Sequence, residues 1–320
     1  MDAKITKERL SRMLSYDWLK IVGAALVAIL VWSLVFTVSA TRVTPAQQFT
    51  AINYFGNVGT TSTEFSETLR DAFNDGIFSH EVVETSELDI GGNEQYGSTL
   101  MDTRVQTSEG DVVFVPNISE TEGADTYLQD LVHYYGYRLM NLDRDAEDGF
   151  FKEMERYLNH YYDGGYENGT LNKEKVREDF LARIKKNKDK RYKKSAEIEE
   201  GVQGDLARIE KYRDALVEFD EYLASGLVRL ETTTVLDHEN NDKLFAEGVY
   251  SINLCPDSEK MPNLKKIVAY LKTVEGDDGE VQVLSAENMH VALLAFDDVE
   301  KGFEYESLLY INYVIRLAKA

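Results

Sequence analysis

The chain holds one cysteine, four prolines and five histidines in 320 residues. A single cysteine, Cys255, excludes an intramolecular disulfide, so a body placed outside the cytoplasm has only its apolar core to hold it. Cys255 also lies far from the N-terminus, which excludes a lipid-attachment cysteine just after the first apolar run. Four prolines leave no room for a Pro-rich spacer. Also missing are a Gly-x-Ser-x-Gly elbow, a phosphate-binding loop ending in Gly-Lys-Ser/Thr and a His-Glu-x-x-His pair. His80, His133, His160, His238 and His290 are scattered without ligand spacing and read as ordinary surface or helix residues. These absences lead us to expect no catalytic residues, no metal and no cofactor, hence no enzyme. Basic residues are scarce too: 35 Lys and Arg face 57 Asp and Glu, for a formal net charge of −22. That balance opposes nonspecific nucleic-acid binding and suits a soluble, self-repelling body.

What the chain does have is material for a core, with 19 Tyr and 14 Phe among 43% hydrophobic residues. It also has one long uncharged stretch, residues 21–40, whose only polar members are Ser33, Thr37 and Ser39. As a helix it rises about 30 Å, the thickness of a bilayer's hydrocarbon core. Trp18 and Lys20 before it, and Thr41 and Arg42 after it, are placed as interfacial anchors. Lys4, Lys7, Arg9, Arg12 and Lys20 put the basic excess on the N-terminal side, and the acidic bulk follows. The positive-inside rule then predicts a cell-membrane protein with a cytoplasmic N-terminus and an extracytoplasmic C-terminal domain. Val38-Ser39-Ala40 fits a signal-peptidase site, but the apolar run exceeds a usual signal core, which favours a retained anchor.

Residues 48–55 alternate as a strand, and residues 56–63 supply a turn and hydroxyls able to cap a helix. Phe65, Leu69, Ala72, Phe73 and Ile77 recur at helical spacing, and 81–85 reads as a second strand. After Gly91-Gly92, Tyr96, Leu100, Met101 and Val105 mark another helix, and 111–115 is an apolar strand closed by Pro116. This succession predicts right-handed βαβ units with a parallel sheet. Residues 124–225 then read as long helices, including a packed pair over 173–224 with a turn at Gly201 to Gly204. Strands are predicted at 227–236, 248–254, 281–284 and 291–296, a helix around Leu264, Ile267, Val268 and Leu271, and a last helix from Tyr305 to Leu317. The expected fold class is α/β: an N-terminal transmembrane helix, then a mostly parallel sheet with a large helical insertion. The expected segments are a cytoplasmic tail at 1–20, the span at 21–42, a first α/β segment at 43–123, the insertion at 124–226 and a second α/β segment at 227–320.

In an open α/β sheet, ligands lie beyond the C-terminal strand ends, where helix N-termini offer amide donors. Here those edges present Asn57, Thr60, Thr61, Ser62, Tyr96, Ser98 and Asn117 as hydrogen-bonding candidates. Helix capping and turn formation are the competing roles for each. Two acidic loops, 143–149 and 237–242, place carboxylates at alternate positions, but the spacing of a helix–loop–helix calcium site is not met, and solvated loops are the better reading. Arg183, Lys185, Lys186, Lys188, Lys190, Arg191, Lys193 and Lys194 form a basic run opposed only by Asp189. It reads either as a solvated helix face or as a contact for an anionic polymer or lipid surface.

The element order, with Gly110-Asp111 before the third strand and a late strand at 248–254, resembles the type 2 extracytoplasmic solute-binding-protein architecture. The resemblance covers roughly residues 47–116 and 245–320 and lies in the pattern of elements. It implies a ligand cleft, a small-molecule solute and, for many members, a transporter or other envelope protein as partner. The alternative expectation is a structural or partner-binding envelope protein acting through its helical arm.

Overall fold

The computed structural model describes residues 7–8, 11, 18–39, 47–54, 63–90, 94–119, 121, 123–187, 189–276, 279–296 and 305–319, with the side chains of 37–39, 94–96, 98, 239 and 276 outside the description. The chain forms two compact units, residues 1–43 and 44–320. The first holds helix α1 (Trp18–Ser39), 22 residues long and apolar enough to cross a membrane. None of its apolar window is buried within the molecule.

The second unit is built on a six-stranded sheet. β1 (Gln48–Asn53) leads through α2 (Phe65–Asn74) to β2 (Glu84–Asp89), and then through α3 (Glu94–Gln106) to β3 (Val112–Pro116). β1 pairs in parallel with both β2 and β3. Strand alternation sorts the core onto two faces. Phe49, Ala51, Val112 and Phe114 join α2's Phe65, Leu69 and Ala72, while Ile52, Val113 and Val115 join α3's Met101 and Val105. The two crossover helices therefore lie on opposite faces.

After β3 come α4 (Tyr127–Tyr135), α5 (Phe150–Tyr161), the short strands β4 (Tyr162–Asp163) and β5 (Thr170–Leu171), α6 (Lys173–Asn187) and α7 (Ser195–Ala224). Thr126 and Gln129 form a reciprocal capping box at the start of α4. α7 buries Val202, Leu206, Ile209, Tyr212, Leu216 and Phe219 in the same core as α2 and the sheet. The expected turn at Gly201 to Gly204 is absent, and α7 runs unbroken through both. These glycines serve close packing: a Cβ on Gly204 would stand 2.7 Å from the His80 ring, and one on Gly201 would collide with Phe180.

β6 (Arg229–Leu230) and β7 (Thr233–Asp237) divide the single strand expected over 227–236, because they pair into different sheets. β7 forms a hairpin with β8 (Lys243–Gly248), while β6 pairs with β9 (Ser251–Asn253). The expected helix near Leu264 is one turn, α8 (Leu264–Ile267). Val268 is already extended, and β10 (Tyr270–Gly276) pairs antiparallel with β11 (Gly279–Ser285). β12 (Met289–Leu293) then enters the main sheet between β3 and β9, antiparallel to both. α9 (Glu306–Ala318) packs on the face of α2 and α7 with Leu308, Tyr310, Ile311, Val314 and Ile315 buried. The sheet order is β2-β1-β3-β12-β9-β6. It is mixed rather than mostly parallel, because the late segment adds its strands in antiparallel pairs.

Candidate functional site

The strand registers bring several chain ends to one edge. Asn53, ending β1, lies level with Phe114 of β3 and Asp89 of β2. Pro116 lies opposite Met289, and Asn253, ending β9, lies opposite His290. Because α2 and α3 cover opposite faces, the end of β1 beside β3 is the point where the connections diverge, and a crevice forms there in open sheets. Asn53 is 2% exposed, and its Oδ1 has no hydrogen-bond partner among the described residues. An orphaned buried acceptor costs about 1–3 kcal/mol, so it marks a place where a donor from outside the fold would be stabilising. Asn53 lies inside the strand expected over residues 48–55, so nothing local in the sequence marks it as a site residue.

Of the expected site residues, Asn57, Thr60, Thr61 and Ser62 lie outside the described residues. Tyr96 and Ser98 fall within α3, their side chains outside the description. Asn117 stands at the edge, half-buried, its amide donating to the Asn288 carbonyl at 2.8 Å. The Asn288 amide in turn donates to the Cys255 carbonyl at 3.4 Å, linking Asn117 to a second feature of this edge. That feature is a cavity of about 330 Å³ lined by Cys255, Ser258, Met261, Lys265, Leu284 and Glu287. Burial, with Glu287 and Asp257 nearby, pushes the Cys255 thiol up to about 11, so it stays protonated at neutral pH. It offers a polarisable wall, not a thiolate nucleophile. Glu287 is engaged by Lys272 Nζ at 2.6 Å.

On the face shared with α3, Ser251 Oγ lies 2.9 Å from His290 Nδ1, and His290 Nε2 lies 3.8 Å from Glu231 Oε2. This line has the residue types of a hydrolytic triad. Ser251 is fully buried, so a carbonyl substrate has no approach to its hydroxyl. His290, expected at a surface or on a helix, is 1% exposed within β12, and burial lowers its pKa to about 4. The Ser251–His290 contact joins β9 to β12, and His290 Nε2 has no hydrogen-bond partner among the described residues, so no hydrogen bond extends the group to Glu231. Its members stand 20 and 39 residues apart, a separation that gives no local signal.

A third cluster sits at the opposite edge, between the segment before β2 and helices α6 and α7. Arg183 donates to Glu81 Oε1 at 2.8 Å and to Asp205 at 2.9 and 2.7 Å, and Arg191 donates to Glu81 Oε2 at 2.7 Å and to Asp189 at 2.8 Å. Burial alone would raise the Glu81 pKa, but the hydrogen bond from His80 and the two arginines carry it well below the usual carboxylate range. His80 Nε2 lies 3.4 Å from Glu81 and 3.8 Å from Asp205, a spacing compatible with a metal ion. The donor set does not fit one. Arg183 already takes both carboxylates, and Arg208, buried 3.3 Å from Asp205, adds a third guanidinium beside Arg183 and Arg191. The cluster is a closed ion network.

Comparison with known protein families, curated proteins and solved structures finds no match for the chain. The edge at Asn53 therefore stands on its geometry.

Proposed function

We propose that the chain is a single-pass, membrane-anchored protein whose extracytoplasmic α/β body, interrupted by residues 124–226 as a helical insertion, binds a small solute at the C-terminal edge of its sheet. The observation that carries this reading is the buried Asn53 acceptor, unpaired among the described residues, at the divergence of β1 and β3. The order β2-β1-β3, followed by a returning antiparallel strand, supports the resemblance to type 2 extracytoplasmic solute-binding proteins. A solute so bound would be passed to a transporter or sensed by an envelope partner. The apolar α1 supplies the tether, and the basic excess before it supports the cytoplasmic placement of the N-terminus.

The test is a thermal-shift screen of the full chain in nanodiscs against a broad set of metabolites. A ligand present at about 100 times its Kd adds about 2.7 kcal/mol, a readily visible rise in Tm. Asn53→Leu removes the orphan acceptor and its cost, so the unliganded Tm should hold or rise while the response is abolished. Met261→Trp fills the cavity beside Cys255 and should leave the response intact. A screen without any shift, or a shift that survives Asn53→Leu, overturns the assignment.

A further inference from the structure

Apart from Lys188, which lies outside the described residues, the basic run at 183–194 divides in two when folded. Arg183 and Arg191 turn inward to Glu81, Asp205 and Asp189. Lys185, Lys186, Lys190, Lys193 and Lys194 face solvent. Lys194 Nζ pairs with Glu197 at 3.2 Å, whereas the other four have no carboxylate partner among the described residues. The inward arginines hold the turn from beneath, and Glu197 Oε2 accepts the amides of Lys193 and Lys194 at 2.9 and 2.8 Å. Four ammonium groups are thus displayed within nine residues of a braced turn rather than on a loose tail.

Like charges this close repel one another, and the chain has carboxylates in excess to neutralise them, 57 against 35 basic residues. Lys185 and Lys186 have a local reason to be there, since they close α6 where the helix dipole favours cations. Lys190 and Lys193 lie beyond the helix and gain nothing from it. We propose that this turn docks on an anionic bilayer surface. Lysines are compact, strongly hydrated charges on flexible stems, suited to a diffuse layer of headgroup phosphates rather than to one fixed anion. The acidic remainder of the chain is repelled by the same surface, so the attraction selects one face for contact. Each lysine near such a surface strengthens association about fivefold, and four together by at least a hundredfold at low salt.

The experiment holds the full chain by its N-terminal helix in phosphatidylcholine nanodiscs and adds separate vesicles with graded phosphatidylglycerol content. Co-flotation should rise with the phosphatidylglycerol fraction and fall with salt. The variant K185Q/K186Q/K190Q/K193Q should lose it about a hundredfold at unchanged Tm, and the matching quadruple Lys→Arg variant should retain it. Co-flotation indifferent to lipid charge, or equal in the Lys→Gln variant, overturns the proposal. So does lysine-dependent binding of soluble polyphosphate without vesicle binding, which would assign the turn to an anionic polymer. Because Asn53 and its ligand response play no part in the readout, this result is independent of the solute-binding test.

Discussion

At Gly201 a methyl group would collide with the Phe180 ring and stand 2.6 Å from Tyr192 Cε1. Helix propensity alone would make Gly→Ala stabilising by about 1 kcal/mol, but overpacking costs about 1–3 kcal/mol. Gly201→Ala should therefore lower the urea midpoint of unfolding, with an unchanged slope. His290 offers a test of opposite character. Its folded pKa of about 4 lies below the ordinary 6.5 because burial disfavours the imidazolium. The unfolded chain binds the extra proton between those values, so the contribution is fully present above about pH 6.5 and fades as pH falls toward 4, by on the order of 3 kcal/mol in all. Asp111 tilts the other way. Burial first, then Glu306, push its carboxyl up to about 7 against the hydrogen bond from the Thr50 amide, and stability from this group falls as pH rises toward 7. Comparing His290→Asn with the parent cancels Asp111. The difference in unfolding free energy between them should change across pH 4 to 6.5 and flatten above it.

Among the elements, the pairing of α6 and α7 with the sheet depends on charges brought together from distant positions. Glu81→Gln keeps the shape but removes the anion shared by Arg183 and Arg191, leaving guanidinium groups without their full partner. Breaking such a buried arrangement costs about 3–5 kcal/mol. The expected outcome is a lower Tm, with amide exchange and proteolysis rising first around residues 183–194. This network also shows what could be read in advance and what could not. Helical periodicity announced α6 and α7, but nothing local told Arg183 and Arg191 apart from their lysine neighbours. Strands β1 and β3 were legible because their alternation and apolar content report burial directly. The spacing of Leu264, Ile267, Val268 and Leu271 suits a helix, yet the first three are apolar because they enter the core, Leu264 and Ile267 as one turn and Val268 as extended chain before β10, where Leu271 is only half-buried. The split of 227–236 depends on which strands receive each half, a tertiary fact. At the candidate site the edge was deducible from βαβ order, and Asn117 was placed on it. The orphaned Asn53 acceptor emerged only from the three-dimensional hydrogen-bond pattern.

For the whole molecule, the separation into residues 1–43 and 44–320 predicts that the larger unit needs nothing from the helix before it to fold. Residues 44–320 expressed alone should be soluble without detergent and melt within a few degrees of the full chain, whereas the full chain should require a bilayer or detergent to stay dispersed. The position of β12 has a further consequence. It fills the slot between β3 and β9 with residues 289–293, yet β3 leaves the ribosome more than 170 residues earlier. Until that late segment arrives, the flank of β3 is a row of unpaired amides and carbonyls, a ready template for mispairing with another chain. Nascent polypeptide must therefore remain shielded until residues 289–293 have been made, and closure of the sheet becomes one late event rather than a stepwise one.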